Sequence, residues 1–179
     1  MRNFFGIFLL MFIFCSQLSA QKQLTLEDFF VDGTFRTKGV YGLRSMNDGE
    51  HYTVLENNGT RIVKYSYKTG LPVATLLDLK TLEDSPVSRI DDYTFNEDES
   101  RILICTNKKQ IYCRSFTADY YLFDFKNKEI KPLSEGGSQR LATFSPTGLQ
   151  VAFVRDNNLF IPYISFGAER QITRYGQYT

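Results

Sequence analysis

The sequence has no tryptophan, one histidine and three cysteines, and its 21 basic residues nearly cancel its 20 acidic ones. Each shortage excludes something. A formal net charge of +1 offers no basic field to nucleic acid or to an anionic membrane surface, so neither is expected as a partner. One histidine far from two cysteines makes no recognisable set of metal ligands. No Gly-x-Ser-x-Gly occurs, so the sharp turn that presents a nucleophilic serine is missing. Gly136-Gly137 lacks the Lys-Ser/Thr of a phosphate-binding loop. A Ser-His-Asp triad would need His51 beside a nucleophile, but His51 falls in a strand and Ser145 in a turn. The expectation is no catalytic residue, no metal and no cofactor in this chain.

Long apolar runs are also scarce. Phe4 to Phe14, broken only by Gly6, is too short to span a bilayer. Arg2 precedes it, and Leu18-Ser19-Ala20 follows, ahead of the polar Gln21. That order is a secretory signal peptide over residues 1–20, cleaved after Ala20. The mature chain is then exported, to the periplasm or outside the cell, with no membrane span. Residues 21–39 read as a lead-in. Thr25 and Asp28 form a capping box, Phe29-Phe30-Val31 supply an apolar side, and Asp32-Gly33 ends a brief helix. The helix is expected to bury that side against the domain that follows.

What the chain has in abundance is aromatic: 11 tyrosines and 16 phenylalanines, which suit half-buried pleated surfaces. They recur with a period. Met46, Phe95 and Phe144 lie 49 positions apart, each ahead of a turn: Asn47-Asp48-Gly49, Asn96-Glu97-Asp98, Ser145-Pro146-Thr147-Gly148. In this alignment Asn47, Asn96 and Ser145 are equivalent turn residues. An apolar or aromatic run follows each turn, which is the mark of a β-hairpin. Arg61–Tyr67, Asp119–Phe125 and Asn158–Ile164 read as third strands. Glu129–Leu133 and Arg170–Thr173 read as fourth strands of the second and third copies. Four-stranded units at this spacing are propeller blades, so the fold is all-β: an incomplete β-propeller over residues 40–179, with about three blades. Propellers close with about four to eight blades, and three read as part of a longer product.

Several polar features have plain structural readings. Asn58-Gly59-Thr60 fits a glycosylation sequon but also a hairpin turn, and the turn is preferred. Glu97-Asp98-Glu99 is a solvated turn. Cys105 and Cys113 remain open: a hairpin turning near Lys109 would face them for a disulfide, and otherwise they are two separate thiols. Asn107 to Ala118 is an unusually long loop between the second and third strands of the middle blade. It carries Lys108, Lys109 and Arg114 among Tyr112 and Phe116, and is either a ligand contact or a solvated loop.

Arg114-Ser115-Phe116-Thr117-Ala118, followed by Asp119-Tyr120-Tyr121, resembles the dipeptidyl peptidase IV group of the prolyl oligopeptidase family. Leu24–Asp28, Tyr41–Ser45, Thr143–Gly148, Val151–Val154, Asn157–Phe160 and Arg170–Thr173 are similar to that group's lead-in and blades. The resemblance implies an exported bacterial protein with an eight-bladed propeller and an α/β-hydrolase domain, homodimeric at full length. It implies a serine exopeptidase that releases dipeptides from peptides with Pro or Ala second, the propeller binding and gating the substrate. It also implies a substrate-binding Arg in this loop. The family's Arg falls on Cys113, with Arg114 one place later, so Arg114 is the candidate substrate contact. The chain ends before the Glu pair and hydrolase residues that the resemblance would supply. Without them, the other reading is an exported, non-enzymatic propeller module that binds a peptide or protein.

Overall fold

The computed structural model describes residues 24–35, 39–82, 85–164 and 169–176, so the signal-peptide reading lies outside the described residues. The chain divides into two units, Met1–Gly39 and Val40–Thr179. In the first, α1 (Leu26–Phe30) starts at the expected capping box: the Asp28 N–H donates to Thr25 Oγ1 at 3.3 Å and the Thr25 N–H to Asp28 Oδ2 at 3.0 Å. Phe29, Phe30 and Val31 are exposed, and Asp28 is the buried residue. A five-residue helix is little more than one turn, and its capping bonds turn Asp28 inward instead.

The second unit is three antiparallel meanders. The first sheet runs β1 (Tyr41–Ser45), β2 (His51–Glu56), β3 (Arg61–Ser66) and β4 (Pro72–Asp78), paired in that order. The second runs β5 (Asp92–Phe95), β6 (Arg101–Gln110), β7 (Phe116–Asp124) and β8 (Glu129–Pro132). The third holds β9 (Arg140–Phe144), β10 (Val151–Arg155) and β11 (Asn158–Phe160). Its fourth position is marked by a bridge from Phe160 to Gln171, with the Ile172 N–H donating to the Leu159 carbonyl at 2.8 Å. Strand after strand in an up-and-down four-membered sheet, repeated three times, is the blade of an incomplete β-propeller.

The turns correct the repeat. Ser45, Phe95 and Phe144 pair with Tyr52, Ile102 and Val151, each across a six-residue connection. The N–H groups of Met46, Asn96 and Ser145 then donate to His51, Arg101 and Gln150 carbonyls. Gly49, Glu99 and Gly148 occupy the left-handed point of each turn, at φ of 68°, 55° and 66°. The first interval is therefore one residue longer than the ungapped alignment, and Met46, not Asn47, is the equivalent of Asn96 and Ser145. The large side chain of Met46 imitated the anchors Phe95 and Phe144.

Packing follows from alternation along the middle blade. Ile102, Ile104 and Phe123 join Ile62, Leu77, Ile90 and Tyr93 in a core toward the first blade. Leu103, Cys105, Ala118 and Tyr120 join Val151, Phe153 and Phe160 in a core toward the third. Successive strand residues point to opposite faces, so a sheet buried on both sides needs an unbroken apolar run, and Ile102–Cys105 supplies it. Two polar staples cross between blades. The Tyr93 hydroxyl donates to the Gly42 carbonyl at 2.7 Å and meets Thr53 Oγ1 at 2.7 Å. Gly59, at φ 85°, accepts from the Ile90 N–H at 2.7 Å, and the sequon is thereby a hairpin turn.

Candidate functional site

The long loop of the middle blade is not a loop. β6 and β7 continue past the sheet as a paired arm, with Lys109 opposite Thr117 and Gln110 opposite Phe116. The register slips once, between Thr106 and Lys109, where Asn107 sits at φ 54°. That one-residue bulge re-aims the strands without ending their pairing. The connection shrinks to Ile111–Ser115, closed by Ile111 and Tyr112 N–H groups that both donate to the Ser115 carbonyl, at 2.8 and 3.2 Å. The hairpin thus turns beyond Lys109, and Cys105 and Cys113 do not face each other. They are two separate thiols, Cys105 buried and Cys113 exposed. Burial pushes the Cys105 thiol up to about 11, against the pull of Lys108 and a bond to Tyr120.

The arm tip presents Ile111, Tyr112, Cys113 and Arg114 to solvent. Arg114 makes no hydrogen bond or ion pair among the described residues, so its five donors are available to a ligand. The root is built differently. Asp119 accepts from Asn107 Nδ2 at 2.9 Å and from Ser138 Oγ at 2.8 Å. Ala118 and Gln139 exchange backbone bonds at 2.9 and 2.8 Å, and Gln139 Oε1 accepts from the Tyr120 N–H at 3.0 Å. On the opposite side, Lys108 Nζ lies 4.8 Å above the Phe116 ring and 3.5 Å from Asp92 Oδ2. Asp92 also holds Arg44 Nη2 at 2.7 Å. This root is not legible in the sequence, because Arg44 and Asp92 meet only where two separate sheets pack; Asp91-Asp92 is an ion-pair junction.

The other candidates stay structural. His51 Nδ1 lies 2.7 Å from Asp48 Oδ2, which also accepts from Lys64 Nζ at 3.1 Å. Partial desolvation raises the Asp48 carboxyl. The bonds from His51, Lys64 and the Glu50 and His51 N–H groups outweigh it and hold the group well below the usual carboxylate range. Ser145 Oγ accepts from the Gln150 N–H at 3.2 Å, inside its turn. Among the described residues no cluster of three or more His, Cys, Asp or Glu side chains could hold a metal ion.

A projecting, basic-tipped arm on the middle of three blades defines the class: a partial propeller with an extended hairpin. Residues 96–179 match the family described as the dipeptidyl peptidase IV N-terminal region. The crystal structure of Porphyromonas gingivalis dipeptidyl peptidase 4 is similar at a TM-score of 0.78 and 39% identity, over 88% of this chain and 22% of that one. "Probable dipeptidyl-aminopeptidase B" of Arthroderma gypseum is 39% identical over 82 residues, which is 44% of this chain and 9% of that protein. "Probable dipeptidyl peptidase 4" of Emericella nidulans is 29% identical over 150 residues, 79% of this chain and 18% of that protein. The chain is similar to the dipeptidyl peptidase IV N-terminal region, and it spans less than a quarter of the relatives it matches.

Proposed function

We propose that this chain is the substrate-binding and gating propeller portion of an exported, bacterial dipeptidyl peptidase IV-like serine exopeptidase. The whole protein would release dipeptides from peptides with Pro or Ala second, and would act as a homodimer. One observation carries the reading: Arg114-Ser115-Phe116-Thr117-Ala118 lies on a paired arm that holds an unengaged guanidinium in solvent. A peptide backbone offers carbonyls, and a charge-assisted bond from a planar guanidinium to a carbonyl is both strong and directional. Arg114 would take over from the neighbouring position, where Cys113 cannot donate in that way. Both residues share the exposed tip, so a shift of one place moves the donor without removing it from the arm.

Hydrolysis would need a serine paired with a histidine, and among the described residues His51 meets Asp48 while Ser145 bonds within its own turn. The expected result is no release of the chromophore from a Gly-Pro chromogenic substrate. Turnover abolished by a serine-directed inhibitor would contradict it. Binding is the positive test. A fluorescent peptide with Pro second should bind the chain, and Arg114→Ala should weaken it about tenfold or more, as for loss of a bond to a charged donor. Equal binding by Arg114→Ala, or by a peptide without Pro or Ala second, would point instead to a non-enzymatic module with another partner.

A further inference from the structure

We infer that Lys108 is a positioning residue that sets the angle of the β6–β7 arm against the first blade and so places Arg114. What Arg114 does rests on the peptide reading above; the brace itself rests on geometry. Past the bulge at Asn107 the arm strands pair with each other, and the arm is free to swing unless its root is held on both sides. On the side of the third blade the backbone holds it, through the bonds exchanged by Ala118 and Gln139. On the side of the first blade the last backbone–backbone bond is from the Asp91 N–H to the Cys105 carbonyl, and beyond it every bond involves a side chain.

Those side chains form one series. Arg44 comes from β1, in the first blade. Its Nη2 lies 2.7 Å from Asp92 Oδ1, and Asp92 Oδ2 lies 3.5 Å from Lys108 Nζ. The ammonium then sits 4.8 Å over the ring of Phe116, on the other arm strand, while the Lys108 N–H donates to Asp91 Oδ2 at 3.1 Å. Lys108 therefore ties both arm strands to β5, and through Asp92 to β1. An exposed ion pair alone is worth little. Here one carboxylate is shared by two cations and the lysine also covers an aromatic face, so a swing of the arm breaks several contacts together. Neighbouring Lys109 has the same charge, is exposed and has no such partner among the described residues, which makes it a built-in control.

Nitroxide labels on Cys113 and on Lys68→Cys, in the first-blade turn, measure the arm directly in the full chain carrying Cys15→Ser. Cys105 is buried and stays unlabelled. The unaltered brace should give a narrow distance distribution. Lys108→Met and Asp92→Asn should each broaden it and weaken the Pro-containing peptide about fivefold, with the thermal midpoint nearly unchanged. Lys109→Met should leave the distribution as it is. High salt should broaden it in the unaltered chain, because partly exposed charges are screened. An unchanged distribution in both Lys108→Met and Asp92→Asn, or equal broadening by Lys109→Met, would overturn the brace. Broadening by Lys108→Met in a chain that binds no such peptide would uphold the brace and remove the peptide reading.

Discussion

Two thiols eight positions apart illustrate how far neighbours in sequence can differ. Cys105 lies inside the core between the second and third blades, while Cys113 is at the arm tip. The thiolate is the reactive form, and burial holds the Cys105 thiol at about 11. At pH ~7 a disulfide reagent should modify Cys113 at the rate of an exposed thiol and reach Cys105 only on unfolding. Equal rates in the folded chain would contradict the placement. Asp48 makes a second prediction at this scale. Its folded carboxyl is depressed, so its stabilising effect is complete above the unfolded value of about 3.9 and is lost as pH falls through the folded one. Asp48→Asn should lower the thermal midpoint at neutral pH and flatten the decline expected of the parent as pH falls below about 4. A variant that declines as steeply as the parent would assign that acid sensitivity elsewhere. Asp98 holds the equivalent turn of the second blade, accepting from the Ser100 N–H and hydroxyl, and its carboxyl is lowered too.

At the scale of elements, the blades are joined by a few polar staples set into apolar packing. Tyr93 is 1% exposed, and its hydroxyl joins β5 to β1 and β2 through Gly42 and Thr53. Tyr93→Phe keeps the ring and takes a partner from the buried Thr53 hydroxyl and the half-buried Gly42 carbonyl, so it should cost about 1–3 kcal/mol in urea unfolding. A loss near zero would mean that the contact between blades does not depend on this bond. Gly59 meets the next blade still more closely. A Cβ there would stand 2.4 Å from the Ile90 carbonyl oxygen, at a φ of 85°. Gly59→Ala should destabilise by about 2 kcal/mol or more, both from the left-handed backbone and from the clash. The strands themselves were legible in the sequence, because turn formers and apolar runs repeat. The register was not wholly so. Met46 resembles the anchors Phe95 and Phe144 by size, and only the pairing of Ser45 with Tyr52 shows that it is already in the turn.

For the whole molecule, the sequence showed Ile102–Ile104 only as the opening of a hairpin strand, and the fold places a core on each side of it. The arm was legible as composition, since basic and aromatic residues concentrate there, but not as a shape. Its pairing depends on a bulge at Asn107, and its root on contacts such as Arg44 with Asp92, 48 positions apart, which no local pattern encodes. Arg114 was found as a candidate from a motif, and the structure adds that it is exposed and uncommitted among the described residues. The most direct test of the account is photo-crosslinking of a peptide with Pro second and a benzophenone near its amino end, followed by mass spectrometry of the adducts. The account predicts adducts concentrated between Asn107 and Ala118 that are depleted by Arg114→Ala. Adducts confined to other parts of the blades, or unaffected by that substitution, would contradict it.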